Sequence, residues 1–310
     1  MKPPNIENPP EINGLQANDL QEGDEAQNLS PRLDRYTRAK RRTLENLAYL
    51  DDNCQSSPHY PALSTALRSC GNYLLFHHYF TVGKVRLSKA SFCKKHLLCP
   101  LCAIRRGAKA LKAYLDRWQV IAQDNPELNL YLVTLTVKNG DDLEERFDHL
   151  TSSVKTLMRR RSRKNQPSET KKAAGGVFSY EVTNKGNGWH PHVHMIWACT
   201  EEPDQTRLQE EWSSITGDSF ILDVRPFRAD QDPAEGFSEV FKYAMKFSDL
   251  SVADNWTAAD TLRGKRMVSS FGCFRCVVVP PELTDELLDD LPYIELLYRF
   301  RGGHYQYTPK

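Results

Sequence analysis

Polar and apolar positions alternate over residues 189–195, where His190, His192 and His194 interleave with Pro191, Val193 and Met195, and Trp197 continues the apolar face. Successive side chains of a strand point to opposite faces. The run therefore predicts a β-strand with one face in a core and three imidazoles on the other. Residues 131–137 (Tyr-Leu-Val-Thr-Leu-Thr-Val) make a β-rich run that stops at Asn139-Gly140, and residues 176–182 make another. The turn-forming stretch Asn-Lys-Gly-Asn-Gly at 184–188 joins that second run to the histidine strand, which predicts an antiparallel hairpin. Elsewhere the period lengthens. Leu143, Phe147, Leu150, Val154 and Leu157 give a helix over 141–161, and Phe237, Val240, Phe241, Ala244 and Phe247 give one over 237–247. Residues 103–118 and 202–215 read as helices. Residues 219–227, with Ile221, Val224 and Phe227 apolar, and 267–279 read as strands, while 294–298 and 305–307 are closing strands or a short tail. There is no internal repeat, and the mixture predicts an α+β fold.

Composition narrows the class. A chain of 310 residues holds one large or two modest domains, and 40% hydrophobic with 26% charged residues is an ordinary soluble balance. No apolar run approaches the ~18 residues of a membrane span, and no basic-then-apolar leader opens the chain. Eight cysteines in such a chain point to thiols or metal ligands rather than disulfides. Residues 1–30 carry four prolines, six acidic residues, one lysine and no aromatic, a composition that predicts a disordered tail. The net charge of +1 is silent about nucleic acid; its distribution is not. Arg35, Arg38, Lys40, Arg41 and Arg42 read either as a solvated helix face or as a phosphate-contacting arm. Arg105, Arg106, Lys109 and Lys112 make one side of the 103–118 helix basic. Arg159, Arg160, Arg161, Arg163 and Lys164, with Lys171 and Lys172, read as a mobile phosphate-binding loop.

Three clusters carry chemistry. Cys99-Pro100-Leu101-Cys102 has the Cys-x2-Cys spacing of a zinc knuckle, and Cys70 and Cys93 upstream complete the four ligands of structural zinc, with His96 able to replace one. Cys273 and Cys276 repeat the spacing inside a strand-like run and make a weaker pair. His190, His192 and His194 can converge on one divalent ion, and Glu181, on the adjoining strand of the hairpin, can add a carboxylate oxygen. On the 237–247 helix, Glu239, Tyr243 and Lys246 stand at i, i+4 and i+7, off the apolar stripe. A metal that polarises a phosphate, a tyrosine nucleophile and a lysine that pairs with the phosphate suit transesterification on a nucleic-acid backbone.

These motifs resemble the HUH endonucleases. His192-Val193-His194 matches the histidine–hydrophobe–histidine motif, Tyr243-Ala244-Met245-Lys246 the Tyr-x-x-Lys motif, and Leu132-Val133-Thr134-Leu135-Thr136 the strand motif before them, in the family's order. The cysteine block, the His-Pro-His-x-His form and a Glu four residues before the Tyr look most like plasmid rolling-circle replication initiators of the single-tyrosine group. The resemblance covers residues 70–279 and implies a five-stranded antiparallel sheet with flanking helices behind an N-terminal zinc-knuckle block. It also implies an Mg or Mn ion on His192 and His194, with Glu181 and His190 competing for the third position. By the same resemblance Tyr243 nicks one strand of a plasmid double-strand origin and keeps the 5′ phosphate, leaving a 3′ OH. Lys246 attends the phosphate and Glu239 ends the cycle. Host helicase and polymerase would be partners, an oligomer is open, and the setting would be the bacterial cytoplasm. The division expected is a disordered acidic tail (1–31), a basic, cysteine-rich zinc-binding and DNA-contact region (32–130), an endonuclease core (131–280) and a C-terminal segment (281–310). A relaxase or transposase of the same superfamily, a metal-dependent hydrolase and a non-catalytic zinc-knuckle DNA-binding protein are the competing readings.

Overall fold

The computed structural model describes residues 29–227, 232–243 (backbone only at 242 and 243), 250–279 and 291–309. Among these residues the chain forms seven α-helices and two antiparallel sheets, one of five strands and one of four. No helix among them is long and apolar enough to cross a membrane.

The five-stranded sheet has the order β6-β3-β5-β4-β7. Its centre is the predicted hairpin, β4 (Ala173–Asn184) and β5 (Trp189–Cys199), flanked by β3 (Asn129–Thr136) and β7 (Val268–Gly272), with β6 (Leu222–Pro226) at the far edge. Alternation along β5 sorts its side chains. Val193, Met195 and Trp197 enter one core with Val133, Leu135, Tyr180 and Val182, beneath helices α4 (Leu143–Ser162) and α5 (Gln205–Thr216). Ile196 and Ala198 face the other way and join Val177 under α3 (Pro100–Asp124) and α6 (Pro233–Tyr243). Helix α4 starts where the sequence provides a start: Asp142 accepts a hydrogen bond from the Glu145 N–H, and Glu144 and Glu145 lie at the positive end of the helix dipole. All five apolar positions predicted for its inner face are buried. The 267–279 run stops as a strand at Gly272, whose φ of +57° and contact with β4 exclude a side chain, since a Cβ would stand 2.0 Å from the Ala174 carbonyl oxygen. The 219–227 run shortens to β6, leaving Ile221 65% exposed.

The four-stranded sheet, order β2-β1-β8-β9, pairs β1 (Tyr73–Tyr79) and β2 (Lys84–Ala90) with β8 (Ile294–Arg301) and β9 (His304–Tyr307). The cysteine block thus contains a hairpin that its burial pattern, not alternating along β1, hid from periodicity. Helices α1 (Leu29–Asn53), α2 (Tyr60–Ser69) and α7 (Val252–Thr261) complete the set. Residues 29–31 of the predicted tail belong to α1; its residues 1–28 lie outside the described residues.

The basic stretch at 32–42 divides: Arg38 and Arg41 are exposed and Arg42 is half-buried, so both readings remain for them, but neither holds for the rest. Arg32, Arg35 and Lys40 are buried. Arg32 donates to the Val85 carbonyl at 2.7 Å and lies over the Phe76 ring, Lys40 donates to the Cys70 carbonyl and to Asn72 Oδ1, and Arg41 donates to the Gly303 carbonyl at 2.7 Å. These cations bracket β2, the cysteine block and the β8–β9 turn to one helix. Arg32 and Lys40 satisfy carbonyl oxygens that would otherwise be buried without a donor, whereas the Arg41 bond is exposed.

Candidate functional site

Register builds the first cluster. Glu181 of β4 stands directly opposite His192 of β5, and His194 is opposite Ser179, one step along the same face. The Glu181 carboxylate, 2% exposed, therefore reaches both rings: its Oε2 lies 2.6 Å from His192 Nε2 and 3.1 Å from His194 Nε2. The other ring nitrogens are held from behind. His192 Nδ1 lies 3.2 Å from the His190 carbonyl oxygen, which can only accept, so Nδ1 is the donor there and a neutral ring would present its Nε2 lone pair to an ion. His194 Nδ1 lies 3.1 Å from Thr134 Oγ1 of β3. A lone pair and a carboxylate at this separation repel unless a proton or a cation lies between them. Ligand atoms bound at about 2.1 Å to one divalent ion sit about 3 Å apart, so the donor set fits a metal. His190 lies outside the group: it pairs with Thr183, its ring is 5.4 Å from that of His192, and the atoms that converge are those of Glu181, His192 and His194. Burial, and after it the charge of His192, hold the His190 imidazole below its ordinary pKa.

Thr134 and Ser179 carried no signal of their own in the sequence. Thr134 orients His194, as partners of metal-bound imidazoles do. Ser179 donates at 2.5 Å to the Val240 carbonyl of α6. Each sits opposite His194 in register, and that pairing is the signal that could have found them.

The Ser179 bond fixes α6 over the face of the sheet that carries the triad. Phe237, Val240 and Phe241 fill the seam with Ile196, and Glu239 is half-buried on the same helix. The α6 backbone runs on from Val240 to Tyr243; the Tyr243 side chain and Lys246 lie outside the described residues.

The second cluster is the cysteine set. Cys70 follows α2, Cys93 follows β2, Cys99 caps α3, and Cys102 lies in its first turn. Sulfur separations are 3.5 Å for Cys70–Cys99, 3.7 Å for Cys70–Cys102 and 3.5 Å for Cys93–Cys102. Tetrahedral zinc with Zn–S bonds of about 2.3 Å sets S–S edges of about 3.8 Å. The Cys93 N–H points to Cys70 Sγ and the Lys95 N–H to Cys93 Sγ, across a turn in which Lys94 takes a φ of +60°. Thr43 Oγ1 donates to Cys99 Sγ. Hydrogen bonds from the Cys70, Cys93 and Cys99 thiols push Cys102 toward the thiolate. The four sulfurs fit structural zinc, and the buried Lys40 ammonium beside them offsets the negative charge of a tetrathiolate. His96 is not among them. It meets Arg106 Nη1 at 2.7 Å, and burial followed by the Arg106 charge pushes it down to about 4. Among the described residues Cys273 and Cys276 join no ligand group.

The predicted DNA-contact residues divide. Arg106, Lys109, Arg159 and Arg163 are exposed, and Arg105 is half-buried with its guanidinium 4.1 Å above the Phe92 ring. Arg160 and Arg161 have inward duties: Arg160 meets Ser214 and Glu211, and Arg161 donates to the Ala173 and Ala174 carbonyls. Of the expected loop, residues 159–162 finish α4 and Glu169–Lys172 form a 3-10 turn with Lys172 2.7 Å from Glu169, which leaves 163–168 as the irregular part.

Residues 84–293 match the Replication protein family. A "Protein rep" of Streptococcus pneumoniae serotype 2 is 28% identical over 246 residues, 73% of this chain and 74% of that one. A "Protein rep" of Lactiplantibacillus plantarum is 26% identical over 256 residues (74% and 78%), and one of a Bacillus species 28% over 179 residues, 55% of either chain. No solved structure matches.

Proposed function

From the premise that the chain belongs to the Replication protein family, we propose that it initiates rolling-circle replication of a plasmid by nicking one strand of the double-strand origin, through a covalent 5′-phosphotyrosine on Tyr243. The observation that carries this reading is the Glu181–His192–His194 triad on the sheet face spanned by α6, the helix whose described part ends at Tyr243. A divalent ion bound there would polarise the scissile phosphate and neutralise charge gathering on its oxygens. Two imidazoles and one carboxylate suit Mn better than Mg, which favours an all-oxygen set.

This chain's own residues do the rest. The Tyr243 oxygen attacks phosphorus, the P–O3′ bond breaks, and the proton lost by the phenol is balanced by the one gained at the 3′ oxygen. An unperturbed tyrosine has a pKa near 10, so Lys246 serves as the nearby positive charge that favours phenolate and pairs with the phosphate. Glu239, one turn before Tyr243, activates water to release the enzyme at the end of the cycle. The zinc knuckle and the exposed cations Arg106, Lys109, Arg159 and Arg163 hold the origin duplex, and host helicase and polymerase take over the free 3′ OH.

The test is to mix the purified protein with Mn and single-stranded origin DNA and to resolve the products on a denaturing gel. The expected result is a protein–DNA adduct that Tyr243→Phe abolishes. Cleavage that releases both DNA ends free would instead mark a hydrolase, and a zinc-loaded protein that binds DNA without cutting would mark a non-catalytic binder.

A further inference from the structure

A cleft of about 930 Å³ opens on the face of the central sheet opposite the triad. Its position follows from the pleat: Phe178 and Tyr180 of β4 line it, while their neighbours Ser179 and Glu181 face α6 and the histidines. Met158 of α4 and Phe271 of β7 complete an apolar floor. Around the floor stand Lys155, Arg159, Arg266 and Arg275, all exposed. Asp148 is the one carboxylate in the lining, and Lys265, at 2.8 Å, engages it. Arg161 is turned inward, bonded to the Ala173 carbonyl with its guanidinium 5.3 Å from the centre of the Phe271 ring. The cleft therefore gathers like charges around an apolar recess, with a single acid to offset them among the described residues. A merely solvated surface has no need of that arrangement, and mutual repulsion makes it costly. It is the arrangement expected of a site for something flat and apolar that carries anionic groups along one edge.

We infer that this cleft binds single-stranded DNA, with bases set in the recess over Met158 and the small exposed edges of Phe178 (9% exposed) and Phe271 (7% exposed), and phosphates on Lys155, Arg159, Arg266 and Arg275. Single-stranded sites combine a basic track with aromatic surfaces for unstacked bases. A duplex offers the same phosphates but keeps its bases stacked inside, so it would leave the floor empty. The choice of DNA as occupant rests on the replication reading above; the cleft itself does not. Because β7 is the edge strand of the sheet, a strand at the triad can reach the cleft by passing round one edge. The strand held in the cleft is then a flank of the cut site rather than the scissile phosphate.

Binding of a fluorescein-labelled thymidine oligonucleotide of about ten residues, followed by anisotropy over a salt series, tests this in the full-length protein. Each phosphate contact with a single strand contributes about 0.7 to the slope of log affinity against log salt. The double variant Lys155→Gln, Arg266→Gln is thus expected to lose about 1.4 from that slope. A second readout does not depend on any variant folding. Oligonucleotides carrying 5-iododeoxyuridine, irradiated on the wild-type protein, should cross-link to peptides containing Phe178 or Phe271. An unchanged slope in the Lys155, Arg266 variant, or cross-links confined to α3 and the histidine strand, overturns the inference. Failure of the nicking reading shows elsewhere, as a missing covalent adduct, while oligonucleotide binding in the cleft persists.

Discussion

Glu181 is a buried carboxylate whose one oxygen meets two imidazoles, and it sets the residue scale. Burying a carboxylate without a partner costs several kcal/mol, so the group is retained for what it holds. Glu181→Gln keeps the shape and removes the charge. It should weaken Mn binding by at least about tenfold, the loss seen when even an outer partner of a metal ligand is removed. Titration calorimetry checks this, and equal affinity in the variant would move the ion away from Glu181. Thr134 acts one step further out: Thr134→Val frees the His194 ring to rotate and should lower Mn affinity with little loss of stability. Glu239 belongs to the same scale. Glu239→Gln should nick and form the adduct but fail to stop after one round, giving products longer than unit length. Normal termination would leave Glu239 a structural residue of α6.

At the scale of elements, the question is how α6 is kept above the sheet. Phe237, Val240 and Phe241 supply the apolar seam, and the Ser179 hydroxyl supplies one directional bond to the Val240 carbonyl. Ser179→Ala removes that bond, which at the usual net worth costs about 1 kcal/mol. Its larger effect should be on the proposed chemistry: adduct formation slows more than stability falls, because a helix that carries the proposed nucleophile loses rate steeply when displaced even slightly. Equal losses in melting temperature and rate would reduce Ser179 to a packing residue. The cysteine set makes a second element. Structural zinc contributes its binding free energy to folding, so chelation should melt α1, α2 and the β1–β2 hairpin while β3, β4 and β5 survive. Hydrogen exchange resolved along the chain would show it, and uniform loss of protection would mean that the two sheets fold as one.

For the whole molecule, the long closure matters most. β8 pairs with β1 across more than two hundred residues of chain, and the Tyr305 hydroxyl donates to the Gly71 carbonyl beside Cys70. The C-terminus is thus a wall of the unit that holds the cysteine set. Truncation after residue 291 would strip β1 of one partner strand. It should lower zinc retention and expose β1 amides, even though no ligand is lost. Zinc content by elemental analysis, together with exchange at β1, decides between this and a dispensable tail.

Some of this was written in local spacing. Period two along residues 190–197 assigns Val193, Met195 and Trp197 to a core and leaves the imidazoles together on the other face. Cys-x2-Cys brings two sulfurs to one turn, and the spacing from Leu143 to Leu157 buries one side of α4. Such patterns need only the geometry of a single element, so the sequence alone determined them. Pairing decided the rest. His190 has the same parity as His192, yet across the hairpin it meets Thr183 rather than a carboxylate, so Glu181 completes the triad. Arg32, Arg35 and Lys40 look like a solvated or DNA-facing stripe until α1 packs against the β1–β2 hairpin and β9, where carbonyl groups claim Arg32 and Lys40 and Arg35 is buried over the Tyr36 ring. Register and closure depend on which distant segment arrives, and spacing within one element carries no information about that arrival.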